Sequence, residues 1–323
     1  MLVLATGFWS LSFPTMKALT IAQQNLLPES STWFICSLCI AYRFGAAALV
    51  MLALSARTLR GLTPLEVWEG AGMGVFGSAG ILFQMDGLAY TSASTSAFLT
   101  QCYCLIIPLW IALEERRWPP ASVLVSCLMV VGGVAVLSGV NWQTLRLGRG
   151  EVETLVAALL FTGQILWLQR SKFAPNKVTH FTAVMFVVMT LCCLPVACAT
   201  TQHSRDWILA YDSVAILSFM ALLVLVCTLG GYLLMNYWQP HLSATQAGLI
   251  YCAEPLFVSL VALFLPGWLS RIAGIDYPNE RIGANLLVGG GLITGANLLI
   301  QMKGVPSGGG AMPPPACATP EVT

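Results

Sequence analysis

Long apolar stretches, separated by short polar breaks, run along nearly the whole chain. An α-helix needs about 20 apolar residues to cross a bilayer. The pattern therefore predicts ten transmembrane helices, at residues 1–20, 32–55, 67–90, 94–113, 121–140, 151–169, 180–200, 214–237, 243–265 and 281–301. Most of the prolines and charged residues lie in the breaks, as is typical of loops. The predicted fold class is an all-α polytopic membrane protein.

The two halves of the chain share a residue pattern. Shifting the sequence by 147 residues aligns Ser96-Ala97 with Ser243-Ala244, and Pro108-Leu109 with Pro255-Leu256, without a gap. Chance similarity between apolar helices is the alternative, but the matching prolines favour a true repeat. An odd number of spans in each repeat inverts the second repeat relative to the first. Inverted repeats are typical of secondary transporters, which hold their substrate between the two halves.

The predicted organisation is a first five-helix repeat at residues 1–145, a second at 146–303 and a disordered, Gly/Pro/Ala-rich tail at 304–323. With the N-terminus inside, the predicted cytoplasmic loops hold eight Lys and Arg residues, and the outer loops hold five. The positive-inside rule then predicts that both termini are cytoplasmic. Two pairs of glycines at helical spacing, Gly70/Gly74 and Gly291/Gly295, predict close contacts between helices.

The composition agrees with lipid as the main solvent. Hydrophobic residues make up 57% of the chain and charged residues 9%, whereas soluble proteins carry about 25% charged residues. With a net charge of +1 and no basic stripe, the chain is not expected to bind nucleic acid. The 11 cysteines lie mostly in apolar stretches without metal-ligand spacing, so no metal site or disulfide framework is predicted. The expected partners are a lipid bilayer and a small-molecule substrate, without a cofactor.

Five groups of residues together resemble a known family. They are Thr6-Gly7-Phe8-Trp9-Ser10-Leu11-Ser12-Phe13 through Lys17, Tyr42-Arg43-Phe44, Tyr90-Thr91-Ser92-Ala93 through Ser96-Ala97, Pro108 through Glu115-Arg116, and Leu242-Ser243-Ala244 through Glu254-Pro255-Leu256. In order and spacing, the chain resembles the EamA-type ten-helix members of the drug/metabolite transporter superfamily up to about Gln301. One departure is a longer connection at Gly267 to Asn279, before the tenth predicted helix.

The resemblance implies a secondary transporter or facilitator that moves a small metabolite or drug-like solute by alternating access. It also implies that efflux is the commoner direction and that the membrane is the bacterial inner (plasma) membrane.

Four ionisable residues stand out inside the predicted spans: Lys17, Arg43, Asp86 and Glu254. Each costs about 2.5–3.5 kcal/mol on insertion scales, so a function is expected of such residues. Their depth allows two pairs, Lys17 with Asp86 near the outer ends of the helices and Arg43 with Glu254 near mid-depth. The functional interpretation is substrate binding or proton coupling. The structural alternatives are ion pairs that fix helix packing and, favoured for Lys17, extension of the side chain to the membrane interface.

Polar and aromatic residues recur at helical spacing along several of the predicted spans. We expect them to line one substrate cavity together with Glu254, and the candidates are Ser10, Gln84, Gln101, Tyr103, Trp167, Tyr232 and Tyr251. Such a lining suits a small amphipathic solute. The alternative is hydrogen bonding between helices, which contributes about 0.6 kcal/mol per bond on average.

Motifs of the common enzyme classes are missing from the sequence. It contains no G-x-S-x-G, no H-E-x-x-H and no Walker loop. The prediction is therefore transport without catalysis. An integral-membrane enzyme that acts on a lipid-soluble substrate is the alternative.

The charge bias of the loops generates a first test, with reporter domains fused after Arg60, Arg149 or Lys303. We expect the Arg60 and Lys303 fusions to report the cytoplasm and the Arg149 fusion to report the outer side, because five spans separate the N-terminus from Arg149. Paired activity reporters for the two compartments provide the measurement. An Arg149 fusion in the same compartment as the other two would contradict this topology.

Overall fold

The structure is a computed structural model that describes residues 1–114, 116, 118, 121–137, 147–242, 247, 250–251 and 253–303. The predicted disordered tail at 304–323 and the Ser243-Ala244 match of the repeat lie outside these residues.

Helices make up the described part of the chain, which contains no β-strand. In chain order they are α1 Leu2–Leu26, α2 Thr32–Ser55, α3 Pro64–Tyr90, α4 Ala93–Thr100, α5 Tyr103–Glu114, α6 Ala121–Leu137, α7 Arg149–Leu168, α8 Val178–Thr200, α9 Asp206–Leu209, α10 Val214–Leu222, α11 Gly231–Trp238, α12 Glu254–Ala262, α13 Leu265–Ala273 and α14 Ala284–Lys303. A π-helical segment, Leu223–Gly230, joins α10 to α11. The all-α prediction is confirmed for these residues.

Fewer than ten of the described helices have the length and apolar character of a membrane span. Among the described residues, five helical stretches are long and apolar enough to cross a membrane, and the bent pair α12–α13 makes six if it counts as one span. Helices α1 and α3 have 25 and 27 residues, but polar residues and glycines dilute their apolar character. The apolar parts of α6 and α14 are short, at Ala121–Gly133 and Ala284–Leu299. Ten spans are therefore not confirmed.

Side-chain caps fix where several helices begin. The hydroxyl of Thr63 accepts a hydrogen bond from the Glu66 amide at 3.2 Å, and the Glu66 carboxylate accepts one from the Thr63 amide at 2.8 Å. This reciprocal capping box satisfies two donors that would otherwise lack a partner. At α4, the Ser92 hydroxyl accepts from the Thr95 amide at 3.0 Å. The start of α4 is therefore held immediately after α3 ends.

Helix α1 lies at the centre of the bundle. It packs against α3, α4, α10, α11 and α12. Around it, α3 packs on α7 and α8, α2 packs on α8, and α6 packs on α14. Residues from both predicted repeats therefore meet along α1 and α3.

Glycines permit the close contact between α3 and α8. A Cβ atom on Gly70 would lie 2.5 Å from the Phe181 carbonyl oxygen, and one on Gly74 would lie 2.7 Å from the Val188 Cβ. The predicted Gly70/Gly74 contact is thus confirmed. The second predicted pair, Gly291/Gly295, makes less close contacts. Nothing lies within 4 Å of a Cβ on Gly291, and the nearest atom to a Cβ on Gly295 is the Met129 Cε at 3.3 Å.

The long connection after α12 contains a helix that the sequence pattern did not predict. Helix α13 follows α12 at a bend of 53°. It buries Leu265 and Leu269 while Trp268 is 55% exposed. Gly274, with a φ of +63°, ends α13 in the left-handed conformation that glycine favours.

The α3–α8 contact predicts the effect of a single methyl group. Gly70→Ala should destabilise the protein by about 1–3 kcal/mol, because its Cβ would overlap a backbone carbonyl that cannot rotate away. Gly7→Ala is the matched control, since nothing lies within 4 Å of a Cβ there. Thermal unfolding of the two detergent-purified variants measures the difference. Equal melting temperatures would contradict the predicted close packing.

Candidate functional site

A central cavity lies where helices from the two halves of the chain meet. Its volume is about 80 Å³, counted at the centres of water-sized spheres. A single water needs about 10–15 Å³ by this measure, so the cavity can hold several waters or a small group. The lining residues are Trp9, Ser12, Phe13, Met16, Arg43, Ile81, Gln84, Thr100, Tyr103, Phe161, Gln164, Ile165, Tyr232, Met235, Tyr251 and Glu254.

Glu254 supplies the carboxylate of the cavity. It is 6% exposed and is the first residue of α12. A helix N-terminus favours a negative charge, because its backbone N–H groups lack partners within the helix. Gln101 Nε2 donates a hydrogen bond to Glu254 Oε2 at 3.3 Å. Gln101 itself lies in the break between α4 and α5, so the interruption of the predicted fourth span brings an amide to the carboxylate.

Arg43 supplies the cation of the cavity and is 2% exposed. Its Nε donates to Thr228 Oγ1 at 2.5 Å, and its Nη1 donates to Ser12 Oγ at 3.3 Å. Thr228 lies in the π-helical segment, so the irregular turn presents a hydroxyl to the guanidinium. Interruptions of this kind are frequent at functional sites.

The suggested ion pair between Arg43 and Glu254 is not formed. Both residues line the cavity, but no ion pair joins Arg43 to a carboxylate in the described part of the chain. The physical reason is that hydroxyl groups hold the guanidinium while an amide holds the carboxylate. The cavity therefore contains a cationic group and an acidic group with separate hydrogen-bond partners.

Aromatic rings form one wall of the cavity. The Trp9 ring lies 5.7 Å from the Tyr232 ring and 5.8 Å from the Tyr251 ring, measured between centroids. Gly231 makes room for this arrangement, since a Cβ there would lie 2.4 Å from Trp9 Nε1. The Tyr251 hydroxyl donates to Gln239 Oε1 at 2.8 Å, which fixes the orientation of the ring. Such a wall offers an apolar surface next to polar groups.

The structure brings five of the eight candidate site residues to the cavity: Gln84, Tyr103, Tyr232, Tyr251 and Glu254. A sixth, Gln101, contacts the cavity through Glu254. Gln84 Nε2 also donates to Thr100 Oγ1 at 3.0 Å.

Ser10 and Trp167 are not among the cavity lining. The Ser10 hydroxyl donates to the Gly7 carbonyl at 2.7 Å, within its own helix. Trp167 Nε1 donates to the Glu69 carbonyl at 3.1 Å, near the start of α3. Hydroxyls in helices often bond their own backbone, and this explains why Ser10 points away from the cavity.

Sequence reasoning missed the residues of α1 that do line the cavity. Trp9, Ser12 and Met16 recur at positions i, i+3 and i+7 of α1, which places them on one face of the helix. Ser10 is one residue after Trp9 and therefore lies off this face. Trp9 itself was the signal available in the sequence, because a large aromatic residue three positions before a serine also suits a binding surface. Following polar residues alone led to Ser10 and not to these three neighbours.

Asp86 and Lys17 also have partners that differ from the suggested pair. Asp86 is fully buried and accepts a hydrogen bond from Arg149 Nη2 at 2.5 Å. Arg149 further donates to Glu153 Oε1 and to the Tyr90 hydroxyl, each at 2.8 Å. The Arg149 side chain can reach Asp86 because α7 begins beside the end of α3. This end of the bundle is called the Arg149 end below.

Lys17 has its hydrogen-bond partner in a turn at the end of the bundle, and its extension to the membrane interface stays a prediction. Its Nζ donates a hydrogen bond to the Thr91 carbonyl oxygen, in the turn between α3 and α4. Thr91 Oγ1 in turn donates to Glu151 Oε1 at 2.9 Å, at the start of α7. Lys17 is thus tied to the same end of the bundle as Arg149.

A second polar cluster lies at the opposite end of α3. The Glu66 carboxylate accepts a hydrogen bond from the Lys177 amide at 3.0 Å and lies 2.9 Å from His180 Nδ1. Asn176 Nδ2 donates to Glu69 Oε2 at 2.7 Å. Both ends of α3 are therefore bonded to the second half of the chain.

Comparisons with known proteins support a transporter. No family model matches the chain. A relative from Archaeoglobus fulgidus is 23% identical over 287 residues, which cover 89% of this chain and 82% of the relative, and it is described as an uncharacterized transporter. A solved structure, described only as the crystal structure of a protein, is 17% identical with a TM-score of 0.55 and covers 91% of this chain and 95% of that one.

The similarity to the solved structure shows a shared fold. The description of the relative supports a general transporter role, and together with the apolar helices it supports an integral membrane protein. Membership of the EamA-type transporters stays a prediction.

Proposed function

We propose that this chain is a secondary transporter or facilitator that binds a small solute in the central cavity. The observation that carries the proposal is the cavity itself, lined from both halves of the chain by a buried acid and a buried cation with no ion pair between them. Unpaired charges are costly inside a membrane, so their presence there favours a functional role. A bound solute can contact both groups, whereas a purely structural pair would contact itself.

The packing of the helices supports the proposed inverted repeat. If a two-fold axis relates the two five-helix halves, a contact between helices of different order in their halves must occur twice. The first helix of one half packs on the third of the other in both directions, as α1 on α11 and as α7 on α3. Like helices also pair across the halves, as α2 with α8, α4 with α12 and α6 with α14. These pairs are the ones that such an axis generates.

Alternating access then requires that contacts at the two ends of the bundle break in turn. The Arg149 end and the Glu66–His180 cluster both join α3 to helices of the second half. In the described conformation both sets of bonds are made. Relative rotation of the halves would lengthen one set before the other.

The chemistry of the lining favours a small amphipathic solute. The Trp9 and Tyr232 rings offer apolar faces, while Gln84, Glu254 and Arg43 offer hydrogen bonds and charge. The proposal includes ten spans in a bacterial inner membrane, with both termini cytoplasmic and with efflux as the direction.

Replacement of Glu254 by Gln tests the site. Glu254→Gln keeps the shape and removes the acid, so solute flux should fall about tenfold or more, as expected when a hydrogen bond to a charged group is lost, or lose its dependence on pH. Glu29→Gln is the matched control, because Glu29 is an exposed carboxylate far from the cavity lining in sequence. Flux of a panel of amino acids, other metabolites and drug-like solutes into proteoliposomes provides the measurement.

Three other outcomes of this experiment are informative. Normal flux by a stable Glu254→Gln variant would contradict the proposed role of the acid. Poor folding of that variant alone would assign Glu254 to packing. Chemical conversion of a solute without movement would favour the membrane-enzyme alternative.

A further inference from the structure

The long connection after α12 folds into a braced strap, defined here as residues 265–280. The Ser270 hydroxyl donates to the Tyr277 carbonyl at 2.7 Å and accepts from the Tyr277 amide at 2.9 Å. The Gly267 amide donates to Asn279 Oδ1 at 2.6 Å. The strap thus returns on itself and brings its last residue, Glu280, back towards the bundle.

Glu280 connects the strap to the first half of the chain. Its Oε1 accepts hydrogen bonds from the Ala93 amide at 2.8 Å and the Ser94 amide at 3.4 Å, at the start of α4. Its own amide donates to the Ala262 carbonyl at 2.9 Å, at the end of α12. A carboxylate at a helix N-terminus makes strong charge-assisted hydrogen bonds. Glu280 therefore bridges α12 and α4 across the two halves.

Lys17 brings α1 to the same place. Its Nζ donates to the Thr91 carbonyl, two residues before α4 begins, and lies 5.9 Å from the centroid of the Tyr277 ring. The cation of α1 is thus held between the turn before α4 and the strap.

These contacts lie a short distance along α4 from the cavity. Thr100 lines the cavity and follows Ala93 by seven residues. A rise of 1.5 Å per residue separates their backbones by about 10 Å. Glu280 therefore binds α4 about 10 Å from the residue by which α4 lines the cavity.

We propose that the strap is a gate at the Arg149 end, with Glu280 as its latch. This gate rests on the proposed transport function. It closes the path to the cavity by holding α4 and α1 against the second half of the chain. Passage of a solute at this end requires that the Glu280 carboxylate leave the Ala93 and Ser94 amides. The Arg149–Asp86 ion pair joins α3 to α7 and leaves the strap contacts to act separately.

Thiol labelling of the cavity tests the gate without measuring transport. Thr100→Cys introduces a reporter, and a membrane-impermeant thiol reagent is added to each side of sealed vesicles in turn. The chain without the reporter corrects for its native cysteines. Glu280→Ala should raise the labelling rate from the Arg149 side by about tenfold, since losing hydrogen bonds to a charged group shifts a two-state equilibrium by roughly that factor. Labelling from the other side should not change.

Two further variants separate the latch from a general effect on the strap. Asp276→Asn removes an exposed carboxylate from the same segment and should label as the parent does. Glu280→Gln keeps an acceptor oxygen for the two amides and should restore most of the closure. Equal labelling of Glu280→Ala and Asp276→Asn would overturn the proposal, as would faster labelling from both sides.

A reversible cross-link provides a second test if Glu280→Ala folds poorly. Ser94→Cys and Glu280→Cys, joined by a short cleavable thiol cross-linker, fix the latch in its closed position. The linked protein should show slow labelling from the Arg149 side and no solute flux, and reduction should restore both. Undiminished flux by the linked protein would overturn the gate and leave the transport function standing. Absence of flux from the unlinked parent would instead count against the transport function, while labelling still reports the gate.

Discussion

Hydrocarbon does not solvate charge, and this constraint organises the polar interior of the bundle. Arg43, Glu254 and Asp86 each have specific partners from another part of the chain. Hydroxyls of α1 and the π-helical segment hold Arg43, the Gln101 amide holds Glu254, and Arg149 holds Asp86. Two of these solutions converge on the cavity and leave a cation and an acid there without a direct bond. The need to give each buried charge a partner therefore also produces a polar cavity inside an apolar bundle.

Interruptions of regular helix make these contacts possible. The break at Gln101 turns an amide towards Glu254, and the π-helical turn carries Thr228 to Arg43. A regular transmembrane helix uses all its backbone groups internally and offers only side chains at fixed spacing. Short irregular segments add donors and acceptors at further positions. At the end of the bundle, the Glu280 carboxylate of the strap accepts hydrogen bonds from amides at the start of α4. These amides lack partners within the helix.

Hydropathy predicted the helices well, because burial in lipid or protein demands long apolar stretches wherever the chain crosses. The four interior charges and some residues that line the cavity, such as Gln84 and Tyr232, were also visible, since polar side chains are rare in such sequence. The sequence did not allow the hydrogen-bond partners of these charges to be predicted. The sequence pattern places Arg149 in a loop before a predicted span. Only the packing of α7 beside α3 brings its side chain to Asp86. Ser10 was chosen on α1 because it is polar, although its hydroxyl bonds its own helix, and Trp9, which lines the cavity, was not chosen. The strap was read as a loop, since its short amphipathic helix lacks the length of a span.

The central claim is that a transported solute occupies the cavity between Glu254 and Arg43. A cryo-electron-microscopy structure of the purified chain, saturated with a solute that it moves in proteoliposomes, tests this claim most directly. The account predicts solute density inside the bundle, in contact with the Glu254 carboxylate or the Arg43 guanidinium and against the Trp9 ring. Density for the solute at the lipid-facing surface, with an unchanged empty cavity, would contradict it.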